Sequence, residues 1–141
     1  MEETDRRIVN LLKDNGRMSF ADLARTTGLS TSAVHQRVRK LQDKQIIRGY
    51  RAIVDPAAED RPLSAILFLT PVGAAEVDDV AKRLDDLSDI SACFAVAGDE
   101  SYLLMVRVRD VRALESLARQ IRQRTGMATR TQVVLNTKFE R

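Results

Sequence analysis

A chain of 141 residues has room for one ordinary domain or two small ones. With 44% apolar and 30% charged residues, six glycines and three prolines, it reads as globular, which excludes disordered and collagen-like classes. The longest apolar run, residues 65–69, is too short to span a bilayer, and no secretory signal is visible in residues 1–7.

The lone cysteine, Cys93, excludes an internal disulfide and a thiolate metal cluster, so a reducing, cytoplasmic setting is expected. Net charge is +3, but its distribution is uneven. Between Arg17 and Arg51 eight Lys/Arg stand against Asp22 and Asp43, about +6, leaving about −3 elsewhere. Residues 76–89 are acidic: Glu76, Asp78, Asp79, Asp85, Asp86 and Asp89 face only Lys82 and Arg83. This polarity fits a basic nucleic-acid-binding part joined to one that phosphate repels, although ordinary solvated surface gives the same counts.

In chain order, Thr4 is placed to cap a first helix whose stripe is Ile8, Leu11 and Leu12, ending near Asn15 and Gly16. Ser19 followed by Asp22 resembles a capping box, with Asp in the place of Glu, and opens a second helix through Leu23, Ala24 and Arg25. Gly28 supplies the left-handed residue for a sharp turn, and Ser30 caps a third helix with Val34, Val38 and Leu41 on one side. Two helices joined by a short glycine turn are the helix-turn-helix pattern.

At 100° per residue, Ser32, Gln36, Arg39 and Asp43 project opposite Val34, flanked by His35, Arg37 and Lys40. Hydroxyl, amide and guanidinium groups are the types that read base edges in a major groove, and flanking cations reach phosphates. The DNA-facing set is therefore Arg25, Ser30, Thr31, Ser32, His35, Gln36, Arg37, Arg39 and Lys40. Within it Arg39 and Gln36 are assigned to bases, and Arg37, Lys40 and Arg25 to phosphates. The competing reading is an amphipathic helix with a merely solvated polar face.

The stretch from Ser30 through Val34, His35, Gln36, Arg37, Val38, Arg39, Lys40 and Leu41, followed by Ile46, Ile47, Arg48, Gly49 and Tyr50, resembles the recognition helix and exit strand of the Lrp/AsnC regulators. Asp5, the stripe from Ile8 to Leu12, Arg17, Met18, Ser19, Leu23, Ala24, Gly28 and Leu29 also fall where that family has equivalents. Two departures are Gln45, where the family usually has glycine, and Gln42, where it usually has glutamate. The first implies a helix end without the usual left-handed cap.

Residues 55–62, polar and bounded by Pro56 and Pro62, read as a hinge between residues 1–54 and 63–141. Beyond it, a strand at 67–69, a helical stripe of Val77, Val80, Ala81 and Leu84, and a strand at 90–96 recur 37 positions later. The recurrence is a strand at 104–108, the stripe Leu114, Leu117, Ala118 and Ile121, and a strand at 127–135. The predicted class is α+β: a winged-type helix-turn-helix domain followed by a ferredoxin-like βαββαβ sandwich with both helices on one face. The resemblance implies the same fold. Cys93, in a strand among apolar residues, is expected in the core.

The strand around Ile66 and Phe68 and that around Leu103 and Met105 are apolar on both faces, so the uncovered side of the sheet calls for a partner subunit, unless the N-terminal domain folds over it. The resemblance implies homodimers joined sheet to sheet, often assembled into tetramers or octamers. A two-fold dimer suits half-sites spaced by a helical turn of double-stranded DNA.

The loop Gly98, Asp99, Glu100, Ser101 and Tyr102 is first of all a turn signal. By resemblance it borders a small amino-acid effector site, where a carboxylate or carbonyls hold an ammonium and backbone amides a carboxylate. Ser101 stands where relatives often have aspartate. No catalytic residues, metal ligands or cofactor are assigned: the only histidine, His35, lies on the DNA-facing helix, and no phosphate loop or metal spacing appears. The reading is a transcription regulator, expected from the resemblance to act on amino-acid metabolism. The alternatives are a sirohaem-decarboxylase-like enzyme of similar architecture and an effector-independent chromosome-architectural protein.

Overall fold

Three helices open the chain: α1 (Glu3–Asp14), α2 (Phe20–Thr27) and α3 (Thr31–Asp43). The computed structural model describes residues 1–73 and 79–139 and separates into two units, Met1–Ile53 and Val54–Arg141. Each of α2 and α3 begins where its serine can cap it. Ser19 Oγ accepts from Asp22 N at 3.1 Å and donates to Asp22 Oδ2 at 2.6 Å, and Ser30 Oγ accepts from Ala33 N at 3.1 Å. Gly28 turns the chain between them at φ 72°, left-handed as the turn requires.

The start of α1 differs from expectation. Glu2 is its N-cap, with no side-chain cap, and Thr4 lies within the first turn. Glu3 and Asp5 in that turn place negative charge at the positive end of the helix instead. One core holds the three helices together: Ile8, Leu23, Ala24, Val34, Val38 and Leu41, with Leu11, Leu12 and Ile47 packed around it. The apolar stripes read from the sequence are the faces that meet there.

The end of α3 also departs from the sequence reading. Gln45 keeps the left-handed geometry that glycine would favour, at φ 56°. Its Nε2 donates to Gln42 O at 3.3 Å, while Ile46 N and Ile47 N both donate to Leu41 O. The left-handed turn is retained because these bonds satisfy the last carbonyls of the helix. Residues 46–50, expected as an exit strand, leave α3 as a bend and irregular chain, since no strand among the described residues pairs with them to complete a ladder.

In the second unit, Pro56–Glu59 form a short 3-10 turn, and Arg61 bonds Ser88 O at 2.9 Å and lies 3.3 Å from Asp89. The order is then β1 (Leu63–Thr70), α4 (Val80–Leu84), β2 (Ile90–Ala95), β3 (Tyr102–Val108), α5 (Val111–Thr125) and β4 (Ala128–Val133). The four strands form an antiparallel sheet in the order β2-β3-β1-β4, the ferredoxin-like arrangement. Val77, Glu76 and Asp78 lie outside the described residues.

Alternation along the strands sets the two faces of the sheet. Ala65, Leu67 and Leu69 of β1 and Leu104, Val106 and Val108 of β3 point to the helices, where Val80, Leu84, Leu114, Leu117, Ala118 and Ile121 close the core. Ala81 is exposed although its repeat partner Ala118 is buried. On the other face Ile66, Phe68 and Leu103 are half-buried, and Phe94 and Met105 are 49% and 41% exposed.

Cys93 is not in the core. It lies opposite Leu104 on β2, but β2 is an edge strand bonded only to β3, and the thiol is exposed. Position in the sheet, rather than the apolar character of its neighbours, decides this.

Candidate nucleic-acid interface and effector loop

Rigid support for a reading surface comes from the burial of Val34, Val38 and Leu41, which leaves the opposite side of α3 in solvent. Thr31, Ser32, His35, Gln36, Arg39 and Lys40 are all exposed there, together with Ser30 at the cap. The positive end of α3 and its serine-threonine start share this exposed surface. His35 stacks edge-on against Phe20 of α2 with ring centroids 5.1 Å apart, which ties the two helices of the motif on their outer side.

Two of the cations assigned to phosphates have partners in the chain. Arg25 pairs with Asp22 at 2.5 Å but remains 80% exposed, so water or phosphate competes easily for it. Arg37 is different. Its Nη1 donates to Glu2 Oε2 and Asp5 Oδ1, both at 2.7 Å, and its side chain is only 32% exposed. These bonds, first that to Glu2 and then that to Asp5, push the guanidinium further into its charged range. Spacing along α3 gives no hint of partners in the first turn of α1.

In the second unit the loop between β2 and β3 contains Gly98, Asp99, Glu100 and Ser101, and Tyr102 begins β3. The five residues do not share one surface. Ser101 N donates to Leu69 O at 2.9 Å and Tyr102 packs against the helix-side core, whereas Asp99 is exposed. Glu100 reaches Arg130 of β4, with Oε1 to Nη2 at 2.5 Å, and that guanidinium lies over the Phe68 ring at 4.1 Å. Arg130 was not singled out by the sequence, because 30 residues separate it from Glu100. Its bond holds the Glu100 carboxyl below the usual glutamate range.

Among the described residues no group of three or more His, Cys, Asp or Glu is arranged to hold a metal, and no helix is long and apolar enough to cross a membrane.

Residues 1–42 match the AsnC-type helix-turn-helix domain and residues 64–141 the Lrp/AsnC ligand-binding domain. The chain is 40% identical over 139 residues to the HTH-type transcriptional regulator LrpA of Mycobacterium tuberculosis, covering 99% of this chain and 93% of that protein. It is 34% identical over 119 residues to the leucine-responsive regulatory protein of Escherichia coli, covering 83% and 73%. A solved feast or famine regulatory protein from M. tuberculosis, complexed with L-methionine, superposes with a TM-score of 0.95 at 40% identity over 99% of this chain and 95% of that one. The relatives are named as regulators, not enzymes. Helix-turn-helix, antiparallel sandwich and both domain matches agree: the chain belongs to the Lrp/AsnC family of transcription regulators.

Proposed function

We propose that this regulator reads a two-fold DNA site through the exposed side of α3 and adjusts its binding to an amino acid held at the second domain. Gln36 and Arg39 address base edges, Lys40 and Arg25 address phosphates, and Ser30, Thr31, Ser32 and His35 complete the surface. The observation carrying this reading is the anchoring of Val34, Val38 and Leu41 in the three-helix core, which presents Gln36 and Arg39 together on a supported face.

The amino-acid effector is supported by the L-methionine complex of the similar M. tuberculosis protein. Residues Gly98, Asp99, Glu100, Ser101 and Tyr102 are its candidate contacts, through a carboxylate or carbonyls for an ammonium and backbone amides for a carboxylate. Self-association through the outer sheet face, as a dimer or a larger tetramer or octamer, is supported by exposed Phe94 and Met105 beside Ile66 and Leu103. Action on genes of amino-acid metabolism and a cytoplasmic location accord with this reading.

Mapping of bound sites across the genome, followed by binding titrations on the recovered fragments, tests the DNA reading. A purified protein without affinity for any such fragment at low ionic strength would refute it. A thermal-shift screen of the common amino acids tests the effector, and no stabilisation at millimolar levels would remove it.

A further inference from the structure

We propose that Arg37 is a positioning residue for DNA recognition: it clasps α3 to the first turn of α1 through Glu2 and Asp5 and makes no phosphate contact.

Three observations carry this. On the wheel of α3, Arg37 lies about 60° from Val34, beside Leu41, whereas Gln36 and Arg39 lie on the far side. Its place is therefore the flank of the buried stripe rather than the reading face. The guanidinium is already occupied, with two charge-assisted bonds of 2.7 Å to acids 32 and 35 residues away. Finally, Asp5 is only 15% exposed on its side chain. Withdrawing Arg37 toward a phosphate would leave this sheltered carboxylate uncompensated, next to Glu2.

The cluster of Glu2, Asp5 and Arg37 carries a formal charge of −1, so it offers DNA no attraction of its own. What it offers is geometry. The core fixes α3 along its apolar stripe, and a stripe alone leaves rotation and tilt less defined than a directional bond does. The clasp sets the roll of α3, and hence where Gln36 and Arg39 point.

The proposal rests on the DNA reading above, and a salt titration separates the two. The full chain is used to enrich duplexes from a randomised pool, and affinities are measured across a KCl series on the enriched duplex and on its scramble. Failure of the wild-type chain to enrich any duplex takes down the DNA reading and this proposal with it. Given enrichment, Arg37→Ala is expected to weaken binding to the enriched duplex by about ten-fold and to the scramble less, because specific contacts depend most on alignment. The slope of log K against log salt stays at the wild-type value, whereas Lys40→Ala lowers it by about one per bound protomer.

Asp5→Asn supplies the test of sign. Removing a negative charge near DNA strengthens binding if Arg37 is a phosphate contact, and weakens binding to the enriched duplex if Arg37 is a clasp. The exchange Asp5→Arg with Arg37→Asp is expected to recover most of the loss. A salt slope lowered by about one per protomer in Arg37→Ala overturns the proposal. So does an Asp5→Asn chain that binds as tightly as wild type or more tightly. Should Arg37→Ala fail to fold, Asp5→Asn and the exchange decide alone.

Discussion

Glu100 and Arg130 meet at 2.5 Å across the end of the sheet, from the β2–β3 loop to β4, and the same guanidinium covers the Phe68 ring. A ligand ammonium seeking Glu100 therefore meets a carboxylate that already has a cation. The bond to Arg130 depresses the folded-state pKa of Glu100 below its unfolded value. The stability it contributes is therefore present above the unfolded value, roughly 4.3, and is lost as pH falls through the folded one. Carboxyl NMR should show Glu100 titrating below ordinary glutamates, and Arg130→Ala should return it to their range. An unchanged midpoint in that variant would mean the pair does not persist in solution.

Arg39 and Lys40 are neighbours on α3 with different expected roles. Arg39→Ala should weaken binding to a true operator by ~1–3 kcal/mol and relax preference at one position. Lys40→Ala should weaken all duplexes alike. Competition titrations with single-base operator variants distinguish the two, and equal losses on operator and random DNA for Arg39→Ala would exclude base reading.

Gln45 sits at φ 56° after α3, a conformation in which its Cβ is strained and glycine's absence of one is an advantage. Glycine gains there but loses more chain entropy on folding, and it forgoes the Gln45 bond to Gln42 O. Gln45→Gly should still stabilise the helical unit, by roughly 0.5–1 kcal/mol. Urea unfolding followed by helical circular dichroism measures it. A destabilised variant would show that the side-chain bond outweighs the backbone strain.

Met105 is 41% exposed on the outer sheet face beside Ile66, which pairs with it across β1 and β3. A carboxylate there would have to be desolvated in any face-to-face association. Met105→Glu should weaken self-association at least ten-fold in sedimentation experiments while leaving the unfolding transition of the dilute protein nearly unchanged. Unaltered association would exclude this face as the contact.

Much of the fold is local information. Ser19 with Asp22, Ser30 and Gly28 determine where α2 and α3 begin and where the chain turns, because caps and left-handed turns depend on residues three or four apart. The stripes Val34–Val38–Leu41 and Leu114–Leu117–Ala118–Ile121 name their own buried sides for the same reason, and the 37-residue repeat carries the sandwich. The exposed residues of the proposed reading face follow by exclusion.

What tertiary structure decided is every relationship that spans many residues. It gave Arg37 to Glu2 and Asp5, turned Tyr102 toward the core while Glu100 met Arg130, and put Cys93 on an edge strand that leaves its thiol exposed despite apolar neighbours in sequence. Side-chain type and spacing determine which face of an element is apolar. Only the packing of elements against one another determines which charge meets which, because such partners are brought together by topology and not by period.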